Sequence, residues 1–347
     1  MRLLLAGFGN VGRTLAGILA RRVDFPGLAG LDVSIVAITT SSHGTLANPA
    51  GIDLDSALNE IGRHGRFTTA HPDSTALDTM EAAATLDYDV LVEMTPLAIA
   101  GRGEPAISHV RIALARRRHV VSCNKGPVAW AFRSLSALAR ESGCAFLHES
   151  AVMDGVPVFN LARCCLPGAT VTGFEGILNS TTNVVLEAME QGAALPEAIL
   201  KARALGVAEA EPTADLEGWD AAVKIAALAN VLMGADLAPE DVERDVVGEA
   251  TAERARRAVE SGLRLKAVCR AGRSGGAVQG SVELRELEPT DPFVHVEGTG
   301  SSLRLFTDLP GRLVVAEEHP DLRTTAYGVI ADLFAIRDRL HNTSPRR

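Results

Sequence analysis

The chain is poor in positive charge, in usefully spaced cysteine and in long apolar runs. Its 34 Lys and Arg are outnumbered by 43 Asp and Glu, for a formal net charge of −9. A basic stripe that could neutralise phosphates is therefore missing, and nucleic acid is not an expected partner. The five cysteines are odd in number, show no metal-ligand spacing, and include the adjacent pair Cys164 and Cys165. A disulfide framework is not expected, and this usage fits a reducing, cytoplasmic setting. No segment approaches the roughly 18 apolar residues of a membrane-spanning helix, so no membrane partner is expected either. There is no repeat at a fixed period and no low-complexity tract. What is present is 47% hydrophobic content over 347 residues, enough for two domains with a sizeable core.

The first half alternates. "RLLLA" (2–6) reads as a short buried strand, stopped by "GFGNVG" and followed by the amphipathic "RTLAGILARR". "DVSIVAIT" (32–39), "YDVLVEMTP" (88–96), "HVVSCNKG" and "CAFLHES" read as further strands, with "SHVRIALARRR" (108–118) and "AFRSLSALARESG" as helices between them. The polar stretch 40–75 reads as loop and short helix. This rhythm predicts an α/β fold, a doubly wound parallel sheet over residues 1–150. Beyond 150 the strand "VTGFEGILN" mixes with the Ala-rich helices "EAILKARALG" and "WDAAVKIAALANVLMG". "SVELRELEP", "PFVHVEG" and "GRLVVAEE" read as strands. A second, α+β domain is expected over 151–319, with a final helix at about 320–340 folding back on the first.

Gly7, Gly9 and Gly12 make G-x-G-x-x-G between a strand and a helix. The glycines allow a tight turn, close approach to a pyrophosphate and helix-on-strand packing; with Phe8, Asn10 and Val11 they present backbone N–H groups to a dinucleotide. An acid at the end of the second strand would hold the ribose 2′-OH of NAD, but that strand ends in "ITTSSHG", and Asp32 stands at its other end. The hydroxyls of Thr40, Ser41 and Ser42 suit a 2′-phosphate, which favours NADP over NAD, although no arginine adjoins them in the sequence. Ligands bind beyond the carboxyl ends of parallel strands, where Thr95, Pro96, Asn124 and Lys125 fall. Lys125 reads as a cofactor or substrate contact, or as an ordinary surface lysine.

In "VAEAEPTADLEGWDAAVKIA" (207–226) five acids precede one base, Lys224. Pro212 blocks helix before it, Thr213 or Asp215 can cap the start, and one helix is expected to run to Gly234. Asp220 and Lys224 are four apart and share a face. As surface residues they would be a weak ion pair. The stretch "AAVKIAALANVLM" is nearly all apolar, however, which implies a buried helix and a lysine tuned to exchange a proton. Glu209, Glu211 and Asp215 could bind a substrate ammonium or be solvated surface. "GILNSTTNVV" (176–185), including Thr182, could hold a carboxylate on its N–H groups and hydroxyls, or be a plain helix cap. In "HESAVMDGVPV" Glu149 and turned backbone carbonyls are suited to a monovalent cation.

"GFGNVGRTLAGIL", "VEMTP", "HVVSCNKGPVA", "GILNSTTN" and "LGVAEAEPTADLEGWDAAVKIA", in that order over roughly residues 1–235, resemble the homoserine dehydrogenase family in its short form, without a regulatory ACT extension. The resemblance implies a Rossmann-type domain with an inserted α+β dimerisation and substrate domain, working as a homodimer. It implies reversible reduction of aspartate 4-semialdehyde to homoserine by NAD(P)H. Lys224 would be the catalytic acid/base, Asp220 its partner, and Lys125 would lie between cofactor and substrate. Glu209, Asp215, Asp220 and Thr182 would contact the amino acid. Glu149 with the backbone of Val152, Asp154 and Val156 would form a sodium-type site. The sequence departs from the family in "VMDGVP", where Asp154 adds a carboxylate, and in "NSTTN". It departs again in "EEHPDLRTTAYGVIADL", which keeps a helix without the usual glycine-rich turn. Threonine control through a sensing domain is not expected. The rival readings are a related dehydrogenase of another small amino or hydroxy acid, a non-catalytic nucleotide-binding paralogue, and a semialdehyde dehydrogenase using Cys123 as nucleophile.

Overall fold

Leu3, Leu4, Leu5 and Ala6 are fully buried along one strand, as a central strand covered on both faces requires. The structure, a computed structural model, describes residues 1–208 and 211–343. The chain divides into two compact units, Met1–Pro157 with Asp321–Arg347, and Val158–Pro320.

The first unit contains β1 (Arg2–Ala6), β2 (Ser34–Thr39), β3 (Thr45–Ala47), β4 (Ser74–Thr75), β5 (Val90–Glu93), β6 (His119–Ser122) and β7 (Phe146–Leu147), in the sheet order β4-β3-β2-β1-β5-β6-β7. From β2 to β7 neighbouring strands are parallel, giving a Rossmann-like core. β3 and β4 are antiparallel additions at one edge. They replace the loop expected within 40–75, and strands of three and two residues are too short to show a period. The helix Leu322–Thr343 belongs to this unit; its Ala326, Val329, Ile330, Leu333 and Ile336 share a core with Leu3, Leu5 and Leu15.

The second unit contains β8 (Val171–Ile177), β9 (Glu243–Arg244), β10 (Arg264–Ser274), β11 (Ala277–Leu287), β12 (Ser301–Thr307) and β13 (Arg312–Glu317), in the order β13-β12-β8-β10-β11-β9. All pairs are antiparallel except β11 with β9. Gly275 and Gly276, with φ of +57° and +89°, close the β10–β11 hairpin. "PFVHVEG" is not a strand. Asp291 caps Phe293 N at 3.0 Å and Pro292 opens a single helical turn over Pro292–His295. No helix among the described residues is long and apolar enough to cross a membrane.

Candidate active site

In the first unit the strand order reverses at β1, whose neighbours are β2 and β5. Chain leaving β1 and chain leaving β5 diverge there, which is where doubly wound sheets bind ligands. A Cβ on Gly7 would lie 2.6 Å from the Met94 carbonyl oxygen and 2.9 Å from Thr95 N, and its φ is +99°. Only glycine lets the two strand ends approach this closely. A Cβ on Gly12 would meet the Gly7 carbonyl at 3.0 Å, whereas one on Gly9 would meet nothing within 4 Å. Gly12 thus serves packing, and Gly9 leaves a cradle that a side chain would partly fill. The cavity here is about 260 Å³, and its walls include Gly7, Gly9, Arg13, Ser41, Thr95 and Pro96. Phe8 also lines it, with its ring buried 5.6 Å from that of Phe67. Asn10 Oδ1 accepts from Arg13 Nη2 at 2.7 Å, and Val11 is half-buried in the first helical turn.

Arg13 corrects the sequence reading. No arginine adjoins "TTSSH" along the chain, yet Arg13 lines the same cavity as Thr40, Ser41, Ser42 and His43. The turn that follows β1 brings it there. Thr40, by contrast, shapes its own loop: its hydroxyl donates to Gly44 O at 2.8 Å and accepts from His43 N at 2.7 Å. Ser41 is exposed.

The Thr95–Pro96 wall is pinned by two buried residues. Glu93 Oε1 accepts from Thr95 N at 2.8 Å and also from the Thr95 hydroxyl. Asn124 Nδ2 donates to Thr95 O at 3.0 Å and to Pro96 O at 3.3 Å. Lys125 is half-buried and stands at the N-cap of the helix Gly126–Trp130. Burial pushes the Cys123 thiol far above its ordinary value, which disfavours the thiolate.

In the second unit the expected single helix is two. Thr213–Leu216 forms one short turn, and Trp219–Leu232 begins after Gly218, whose φ is +74°. Lys224 Nζ donates to Leu178 O at 2.5 Å and lies 3.4 Å from Asp220 Oδ2. Its side chain is 16% exposed, while Ala221, Ala222, Val223 and Ile225 beside it are buried. Asn179, which the sequence reading did not single out, joins the acids: its Nδ2 donates to Asp215 Oδ1 at 2.7 Å and to Asp220 Oδ2 at 3.1 Å. Thr182 is tied into the same cluster. It is buried, its N–H donates to Asn179 Oδ1 at 2.8 Å, and its hydroxyl donates to Asp215 O at 3.1 Å. These bonds hold the start of the helix Ser180–Glu190 against the turn that carries Asp215. Glu209 lies outside the described residues, and Glu211 is exposed.

The loop 149–156 packs against the C-terminal helix. Glu149 is buried, and its N–H donates to Asp332 Oδ2 at 2.8 Å. The added carboxylate of Asp154 accepts from Thr325 Oγ1 at 2.6 Å. A Cβ on Gly328 would lie 2.8 Å from Asp154 O, so this glycine allows the helix to approach the loop without a glycine-rich turn. Val152 and Val156 are buried. Among the described residues no group of three or more His, Cys, Asp or Glu is arranged to hold a metal; a cation here would rest on Glu149 and backbone carbonyls.

The Asp215 carboxyl is held above its ordinary 3.8, first by burial and then by the charge of Asp220. The native state therefore keeps its proton longer than the unfolded chain does. Stability from this group falls as pH rises from 3.8 to the raised value, and the loss is complete above it. Asp215→Asn keeps an acceptor for Asn179 and removes the ionisation. It should be more stable than wild type to urea at neutral pH, with the difference shrinking on acidification. A difference independent of pH would contradict this.

Two family models match the chain: the NAD-binding domain of homoserine dehydrogenase over residues 7–149 and homoserine dehydrogenase over residues 157–334. An NAD(+)-dependent homoserine dehydrogenase of Pseudomonas canavaninivorans is 36% identical over 353 residues, covering 100% of this chain and 97% of its own. A homoserine dehydrogenase of Methanocaldococcus jannaschii is 32% identical, covering 97% and 98%. Among solved structures, a hyperthermophilic archaeal homoserine dehydrogenase in complex with NADPH superposes with a TM-score of 0.81 at 26% identity, covering 97% and 98%. Full-length matches in sequence, together with a glycine cradle shaped for a dinucleotide, lead to one conclusion: the chain belongs to the homoserine dehydrogenases, NAD(P)-dependent oxidoreductases acting on a CH–OH group.

Proposed function

We propose that this chain interconverts aspartate 4-semialdehyde and homoserine with Lys224 as the acid/base. The observation that carries this reading is the Lys224 amine, withdrawn from bulk water yet held by Leu178 O and Asp220. NAD(P)H, when bound along Gly7–Gly12, supplies the hydride. As the aldehyde carbon is reduced, charge grows on its oxygen; Lys224 stabilises it and donates the proton, and Lys125 is assigned to the cofactor side. In the reverse direction Lys224 accepts the hydroxyl proton. Asp215 and Asp220, with Glu209, hold the substrate ammonium, and Asn179 keeps the two aspartates in register. Glu149 and the carbonyls of Val152, Asp154 and Val156 take a monovalent cation such as sodium. The reading includes a homodimer, built on the second unit, acting in the cytoplasm.

NADP is the proposed cofactor, because the cavity lined by Thr40, Ser41 and Ser42 is also lined by Arg13, whose guanidinium suits a 2′-phosphate. Arg13→Ala should raise the KM for NADPH by about 10- to 100-fold, the scale of a lost charged hydrogen bond, and leave that for NADH unchanged. Equal effects on both cofactors would exclude Arg13 from 2′-phosphate recognition.

Lys224→Ala should lower kcat by about 10² or more, the usual scale for a lost acid/base, with the NADPH Kd near wild type by fluorescence titration. Undiminished turnover would remove Lys224 from the mechanism. A panel of small amino and hydroxy acids with NADP separates homoserine from a related substrate.

A further inference from the structure

The Thr95 side of the cofactor cavity rests on a buried acid–histidine pair that the mechanism above does not use. Glu93 is 0% and His109 3% exposed. His109 lies on the buried face of the helix Ala106–Ala115, in a row with Ala106, Val110 and Ala113. Its Nδ1 is 2.8 Å from Glu93 Oε2. In the Nδ1–H tautomer the ring donates to this oxygen. The other oxygen, Oε1, takes both the N–H and the hydroxyl of Thr95. One carboxylate thus links a core helix to the loop after β5. If His109 no longer holds Oε2, the carboxylate can rotate about its own bond, and both contacts to Thr95 loosen together. Asn124 holds the same loop through Thr95 and the Pro96 carbonyl.

We propose that His109 is a positioning residue for the nicotinamide end of the cofactor, acting through Glu93 on Thr95 without touching the cofactor. The inference rests on the reading that NAD(P)H occupies the Gly7–Gly12 cavity. Hydride transfer depends steeply on donor–acceptor geometry, so a loosened wall slows the chemical step more than it weakens binding.

The test uses the full chain carrying His109→Leu or His109→Asn, assayed with NADPH and with NADPH deuterated at the transferred C4 position. His109→Leu should lower kcat by about tenfold or more and raise the deuterium isotope effect on kcat, with the KM for the amino-acid substrate within about twofold. His109→Asn places an amide nitrogen near the position of Nδ1 and should return kcat to within about threefold of wild type. An unchanged isotope effect in His109→Leu, or activity lost in both variants in step with the melting temperature, would overturn the proposal. If His109→Leu does not fold, Thr95→Val cuts the same chain at its other end, and a wild-type isotope effect there is equally decisive against it. The cofactor reading fails separately: Gly7→Ala with undiminished NADPH affinity would sink that reading, whatever His109 does.

Discussion

Holding an amine partly out of water without leaving it unpaired is the constraint around which the second unit is built. A buried ammonium is costly unless charge and hydrogen bonds compensate it. Here Leu178 O and Asp220 contribute to that compensation. The carbonyl is available because β8 ends at Ile177, so the next residue has left the ladder. The acid is available because the chain restarts as helix at Trp219, after the left-handed Gly218. Asn179 then ties Asp220 to Asp215, so a strand end, a helix start and a short turn are locked into one polar cluster.

The first unit solves a different problem, bringing two strand ends together while leaving open space at Gly9. Gly7 carries most of that, since any side chain there would strike the backbone after β5. The loop it touches is in turn governed from the core by Glu93 and Asn124. Cofactor chemistry is the cofactor's own; what the protein contributes is position and field. In the C-terminal helix of this unit Gly328 and Thr325 meet the 149–156 loop directly.

Much of this was legible in the sequence where one residue type admits one physical role. The glycines of the first turn are of that kind, and the partial burial of Lys224 follows from the apolar helix around it. Arg13 was not legible, because its proximity to Ser41 is tertiary and leaves no mark in local spacing. Asn179 carries no mark that sets it apart in the sequence: its Oδ1 caps the helix, and its amide nitrogen bridges two acids that lie 36 and 41 residues away. β3 and β4 are too short for any periodicity, and "PFVHVEG" imitates a strand until the Asp-Pro start of its turn is weighed. The β10–β11 hairpin had a local signal in Gly275-Gly276, but glycine and arginine interrupt the alternation of its first strand.

The central claim is that the Lys224 amine itself moves the proton. Chemical rescue measures this most directly: Lys224→Ala is assayed for reduction of aspartate 4-semialdehyde in the presence of small primary amines. The account predicts that the rate rises with amine concentration and varies with amine basicity, as for a group that donates a proton in the transition state. A defective variant that no amine of suitable size restores, while cofactor and substrate still bind, would contradict it.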